Sequence, residues 1–226
     1  MSNAQTEQKD RIAEYLQLAN RGIIFDELSK DYLAKAGVLD LLEDVPVPII
    51  VDDEGMSTLT IALGMARIVG GDNNFKYAPQ YMEYIKRCFG DVALKVLLSE
   101  GAKAGTDGDF EAACMYFRTA LILDPRSVDA LYLYGRALKD AYESEEHDEQ
   151  YVGCFKAESL QVFEVLTMLH PDFAMGYYFL GYGYLNLGLY TKAKLTWDTF
   201  NELMEGHEME DDNLELIKEI AERMRA

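Results

Sequence analysis

Histidine, cysteine and clustered carboxylates are the usual carriers of chemistry, and this sequence spaces them poorly for it. His147, His170 and His207 are its three histidines, and none stands in an HExxH or related spacing. His147 and His207 lie among carboxylates with no second nitrogen or sulfur ligand nearby, while His170 directly precedes Pro171, a capping position at a helix end. Cys88, Cys114 and Cys154 are odd in number and form no CxxC pair, so they read as reduced thiols. The segment VDDEG from Val51 lacks the alternating oxygen ligands of a calcium loop, and no nucleophile elbow occurs. The expectation is a protein that is not an enzyme and that needs neither metal nor cofactor.

Tyrosine is the more informative residue. In GYYFLGYGYLNLGLYTKA, from Gly176 to Ala193, Tyr177, Leu180, Gly181 and Tyr184 follow the i, i+3, i+4, i+7 spacing of one helical stripe. Tyr178, Tyr182 and Leu185 form a second stripe beside it. One stripe satisfies one neighbouring helix. The other is left for a partner, or for further helices of the same chain.

The elements that position these stripes belong to a chain of 226 residues, 49% of them hydrophobic, with a formal charge of −19. That is enough apolar material for a substantial core or an elongated array. The acidity repels phosphate backbones and anionic bilayers, so neither nucleic acid nor membrane is an expected partner. The polar start MSNAQTEQKDRIAEYLQ has no apolar signal-peptide core, and no run of about 18 apolar residues follows. A cytoplasmic protein is expected.

Internal spacing decides the fold class. Gly101 and Gly135 are 34 residues apart and Gly135 and Gly181 are 46 apart, whereas Phe117 to Phe163 is 46 and Phe163 to Trp197 is 34. Ala113, Ser159 and Ala193 repeat the second series. A period of 34 with one 12-residue insertion between Gly135 and Ser159 accounts for both. Pro125 and Pro171 end the second helix of their units.

This arithmetic and these residue types resemble the tetratricopeptide repeat family, whose 34-residue helix-turn-helix unit carries a small residue at position 8, another at 20, an aromatic at 24 and proline at 32. Three units match in register over about 110 residues, with departures at Glu100, Ala104, Tyr134, Leu138, Ser159, Leu166 and Phe200. The resemblance implies an all-α fold, an α-solenoid of helix-turn-helix repeats with an N-terminal helical extension and a C-terminal capping helix. The expected organisation is residues 1–56 as helical extension and proline-containing connector, 57–93 as a degenerate helical-hairpin repeat, 94–206 as three repeats, and 207–226 as the capping helix. Ile12, Tyr15, Leu16 and Ala19 mark one amphipathic helix of the extension, and Phe25, Leu28, Tyr32 and Leu33 another. Leu214, Ile217, Ile220, Ala221 and Met224 give the capping helix its apolar face. The acidic centre of the insertion, Glu143 to Glu149, reads as a solvated extension of two helices or as an arm for a basic partner.

In that family the first helices line a concave groove. Carried over residue by residue, the resemblance places Tyr132, Arg136, Lys139, Tyr178, Tyr182, Leu185 and Asn186 there, as the expected site for a protein or peptide ligand. The clamp that grips chaperone tails is absent, because its positions hold Leu98, Ala102, Leu133, Met175 and Phe179. Non-catalytic protein binding is the expected function. A dedicated chaperone for a secreted or assembling client is the alternative, with a homodimer through the N-terminal helices as its corollary, and an enzymatic N-terminal region is a third reading without a supporting constellation. The competing fate of Tyr178 and Tyr182 is burial beneath the N-terminal or capping helices.

Overall fold

The computed structural model describes residues 10–50, 57–144, 147–205 and, near the C-terminus, 215, 218–220, 222 and 223. The histidine at 207, the VDDEG segment, two residues of the insertion and most of the expected capping helix lie outside the described residues. What is described is an α-solenoid with a small β-ribbon at its N-terminal end.

Three helical hairpins carry the repeat. They are α6 (Ala93–Thr106) with α7 (Phe110–Leu123), α8 (Val128–Glu143) with α9 (Glu149–Leu169), and α10 (Ala174–Asn186) with α11 (Tyr190–Met204). Asp109, Ser127 and Asp148 cap α7, α8 and α9 by accepting hydrogen bonds from main-chain N–H groups three residues on. The turns of the first and third hairpins need a left-handed residue, supplied by Gly108 at φ 84° and Gly188 at φ 71°.

The repeat register is a steric code. A β-carbon placed on Gly101 would stand 2.5 Å from the Phe117 ring, on Gly135 2.6 Å from Phe163, and on Gly181 2.1 Å from Trp197. Each glycine is therefore the hollow into which the aromatic of its second helix fits, and no larger residue leaves that hollow open. Ser159, where an alanine is expected, donates its hydroxyl to the Gly135 carbonyl at 2.9 Å, so its buried oxygen is satisfied. Between hairpins, the imidazole of His170 donates to the carbonyl of Arg126 at 2.7 Å and ties successive connections together.

The residues before these hairpins depart from expectation in two ways. Phe25 does not join a helix: β1 (Ile24–Asp26) pairs antiparallel with β2 (Val47–Ile49), and the helices here are α1 (Ala13–Ala19), α2 (Lys30–Lys35) and α3 (Leu39–Leu42). Phe25 stands opposite Pro48, which has no N–H, so this pair falls where the ladder requires no hydrogen bond. The second departure concerns α4 (Thr58–Gly71) and α5 (Ala78–Phe89). Ser57 and Thr60 form a capping box that starts α4 as the spacing predicts. The hairpin does not stack as the later ones do, because α4 lies against α7 while α5 meets α6 only lightly. Gly70 makes this crossing, since a β-carbon there would lie 2.0 Å from the Met115 carbonyl oxygen. Thr119 donates to the Ala66 carbonyl at 2.7 Å in the same buried seam.

Helix α1 completes the cover over the second-helix layer. Ile12 and Leu16 are fully buried, and the Tyr15 ring meets Tyr151 of α9 edge-on with ring centres 5.1 Å apart. Tyr151 also donates to Glu111 of α7 at 2.6 Å, so this end of the insertion is docked on its neighbours and is not a free arm.

Candidate binding surface

With α1 and α4 lying on the second helices, the first helices are the layer left for contact. Helix α8 brings Tyr132, Arg136 and Lys139 to that layer. Tyr132 is half-buried, with its ring 5.3 Å edge-on from Phe173 and 5.8 Å from Phe179. Arg136 is exposed, and its guanidinium carbon lies 5.8 Å from the Tyr132 ring centre and 5.7 Å from that of Phe179. Two rings thus hold an exposed cation in place; Asp140, one turn on along α8, acts on it electrostatically, but among the described residues no carboxylate forms a salt bridge with it. Lys139 pairs with Glu143 one turn further along α8.

The tyrosines of α10 are placed differently. Tyr178 is buried, its ring 5.1 Å from Tyr182 and 5.7 Å from Phe200, and its hydroxyl donates to Glu219 at 3.1 Å. Tyr182 is half-buried between Trp197, 5.0 Å away, and the guanidinium of Arg223 at 5.3 Å. Burial raises the pKa of both phenols, so they stay neutral. The groove position expected of Tyr178 and Tyr182 is therefore occupied by the C-terminal segment of the chain itself. Leu185 is half-buried beside them, and Asn186 is exposed.

The physical reason lies in the repeat. Tyr132 and Arg136 meet Phe173 and Phe179 across the seam to the next first helix, and Tyr178 and Tyr182, 46 residues later, meet Glu219 and Arg223 in the same way. These positions face whatever helix follows. The spacing of Glu219, Ile220 and Arg223 at i, i+1 and i+4 carries this signal in the sequence, and Phe179, absent from the expected site, follows directly on Tyr178.

Ile220 closes the seam, fully buried in an apolar cluster with Tyr178, Ala193, Trp197 and Phe200. Ile220→Asp would bury a carboxylate there unless the segment lifts away. Because Trp197 is the only tryptophan, its emission reports the outcome: a shift to longer wavelength with helicity retained is expected.

A second polar cluster sits beneath α1, around a cavity of about 380 Å³ lined by Asp10, Arg118, Tyr134 and Glu158 among others. Arg118 of α7 pairs with Asp10, Arg11 donates to Gln161 of α9 at 3.0 Å and lies 4.0 Å from Glu158, and the Tyr134 hydroxyl donates to Glu158 at 3.4 Å. Burial pushes the Glu158 carboxyl above the usual glutamate range, with nearby Arg118 acting in the opposite sense. Such a group binds its proton more tightly when folded, so its charged form costs stability above that pKa, and the cost is relieved as pH falls through it. Glu158→Gln is expected to raise stability near neutral pH and to raise it less in mild acid, read by urea titration at the two pH values. The cluster latches the N-terminal segment to α7 and α9.

For catalysis, the described residues offer no group of three histidine, cysteine or acidic side chains placed to hold a metal ion. His147 stacks on Tyr151 at 3.9 Å. Among the described residues, no helix is long and apolar enough to cross a membrane.

No protein-family model and no curated protein matches the chain. Sixteen chains of solved structures do. One, described as MamA MSR-1 C2, is 18% identical over 87% of this chain and 98% of its own, with a TM-score of 0.43. That likeness is too distant to bear on fold or function.

Proposed function

We propose that this chain is a tetratricopeptide repeat protein that binds a segment of a partner protein along its first helices, with Arg136 as the central contact. The steric code of Gly101, Gly135 and Gly181 against Phe117, Phe163 and Trp197 supports the family. The observation that carries the binding reading is the state of Arg136. In a chain of 40 acidic and 21 basic residues, an exposed guanidinium braced by two rings, with no salt bridge among the described residues, is a preorganised receiver for carboxylates or main-chain carbonyls. Exposed Ala102 and Thr106 of α6 and Asn186 of α10 extend the surface on either side.

Affinity capture from the cell of origin tests this reading. Wild-type chain and an Arg136→Glu variant of equal helicity are compared as bait. Proteins held by the first and lost by the second are the expected result, whereas identical captured sets would overturn the assignment of Arg136.

A further inference from the structure

The 12-residue insertion gives the second hairpin a feature with its own chemistry. Helix α8 and the start of α9 run on beside the end of α10, and the space between the three helices forms a cavity of about 460 Å³. Its inner wall is apolar: Phe163 is buried, and Leu160 and Phe179 are half-buried. Gly153 and Lys156, both exposed, stand at its mouth, with Lys156 5.4 Å from the Tyr142 ring centre. Of the charged residues lining it, Arg11, Lys139 and Lys156 are cations and Glu164 alone is an acid, already engaged by the Tyr184 hydroxyl at 2.8 Å; Arg11 donates to Gln161 at 3.0 Å and lies 4.0 Å from Glu158, so Lys156 and Lys139 are the cations left to the rim. Among the lining residues cations thus outnumber acids, against the balance of the whole chain. Phe179 is shared, since one of its neighbours is the Arg136 guanidinium and it also lines the cavity.

Resting on the protein-binding reading above, we propose that this cavity is an anchor pocket for an aromatic side chain carried by an acidic partner segment. The volume falls in the range of ligand pockets and exceeds one indole ring system, the wall is apolar, and the lysines at the rim pair with flanking carboxylates. Lys139 exchanges part of its pairing with Glu143 for the incoming acid. A peptide lying over Arg136 then continues past Phe179 into the pocket.

Fluorescence anisotropy on the full chain tests the proposal, using a fluorescein-labelled peptide Asp-Glu-Trp-Glu-Asp, a version with alanine for tryptophan, and one with lysine for each acid. The first is expected to bind at least about tenfold more tightly than either control. Gly153→Trp places an indole at the mouth, nothing lies within 4 Å of a β-carbon at Gly153, and circular dichroism checks that the variant keeps its helicity. It is expected to weaken the first peptide by about tenfold or more, Lys156→Glu to weaken it in the same direction, and Gly153→Ala to leave it unchanged. Equal binding of the three peptides, no saturable binding, or indifference to Gly153→Trp would each overturn the pocket, while loss of captured proteins in Arg136→Glu would still leave the groove reading standing. Unlabelled indole-3-acetate separates the sources of an aromatic acid. Displacement of the peptide by this small acid at equal concentration would make the cavity a small-molecule site and overturn the partner-anchor assignment.

Discussion

Gly70→Ala is expected to destabilise the protein by about 3 kcal/mol or more, the upper part of the range for overpacked interiors. The added methyl group would stand 2.0 Å from the Met115 carbonyl oxygen and 2.6 Å from its carbonyl carbon. Both are main-chain atoms in the middle of α7, so no rotamer change relieves the overlap. The helices cannot slide apart cheaply either, because the Thr119 hydroxyl donates to the Ala66 carbonyl, and the Asn20 amide at the end of α1 bridges the Arg67 carbonyl of α4 and the Met115 sulfur of α7. Urea denaturation followed by far-ultraviolet circular dichroism measures the loss. A change under about 1 kcal/mol would mean that α4 and α7 do not touch backbone to backbone. Gly64→Ala is the internal comparison, since its β-carbon would meet Pro48 at 3.1 Å and needs only a small adjustment.

The second large effect is expected at Gly181→Leu. Trp197 is almost completely buried and its indole nitrogen donates to the Tyr178 carbonyl at 3.0 Å, so the ring is fixed where a β-carbon on Gly181 would come within 2.1 Å of it. Leucine adds three more carbons to the same overlap. The expected cost is about 3 kcal/mol, again by urea titration, with Trp197 emission moving to longer wavelength as the ring is forced out. An unchanged emission maximum with unchanged stability would remove the steric basis of the repeat register.

These two glycines also show where sequence is legible. Gly181 announces itself because the same hollow recurs at Gly101 and Gly135: the aromatic follows 16 residues on in the first and third hairpins and 28 on in the second, which is 16 plus the 12-residue insertion, and a demand repeated three times leaves a period. Gly70 makes its contact once, inside a run that reads equally well as the approach to a turn, so nothing in the spacing marks α7 as its partner. Phe25, Leu28, Tyr32 and Leu33 fit a helical period, but the pairing of Phe25 with Pro48 is a contact across 23 residues that local periodicity does not register.

The candidate surface shows the same limit. Arg136 falls where the repeat places it, exposed and on a first helix. Tyr178 and Tyr182 occupy equivalent positions one repeat later, and there the following element is the C-terminal segment, which meets them through Glu219 and Arg223. Position within a repeat specifies a direction. What lies in that direction depends on the next helix in the chain.

Site-specific photo-cross-linking tests the claim that partners engage the first helices. A benzophenone amino acid is placed at Ala102 of α6 or Asp129 of α8, both exposed, and in parallel at Met168 of α9 or Lys194 of α11, exposed on the second helices. The first pair is expected to form adducts with captured proteins and the second pair none. Adducts from Met168 and Lys194 in the absence of any from Ala102 and Asp129 would contradict the account and move the binding surface to the opposite layer.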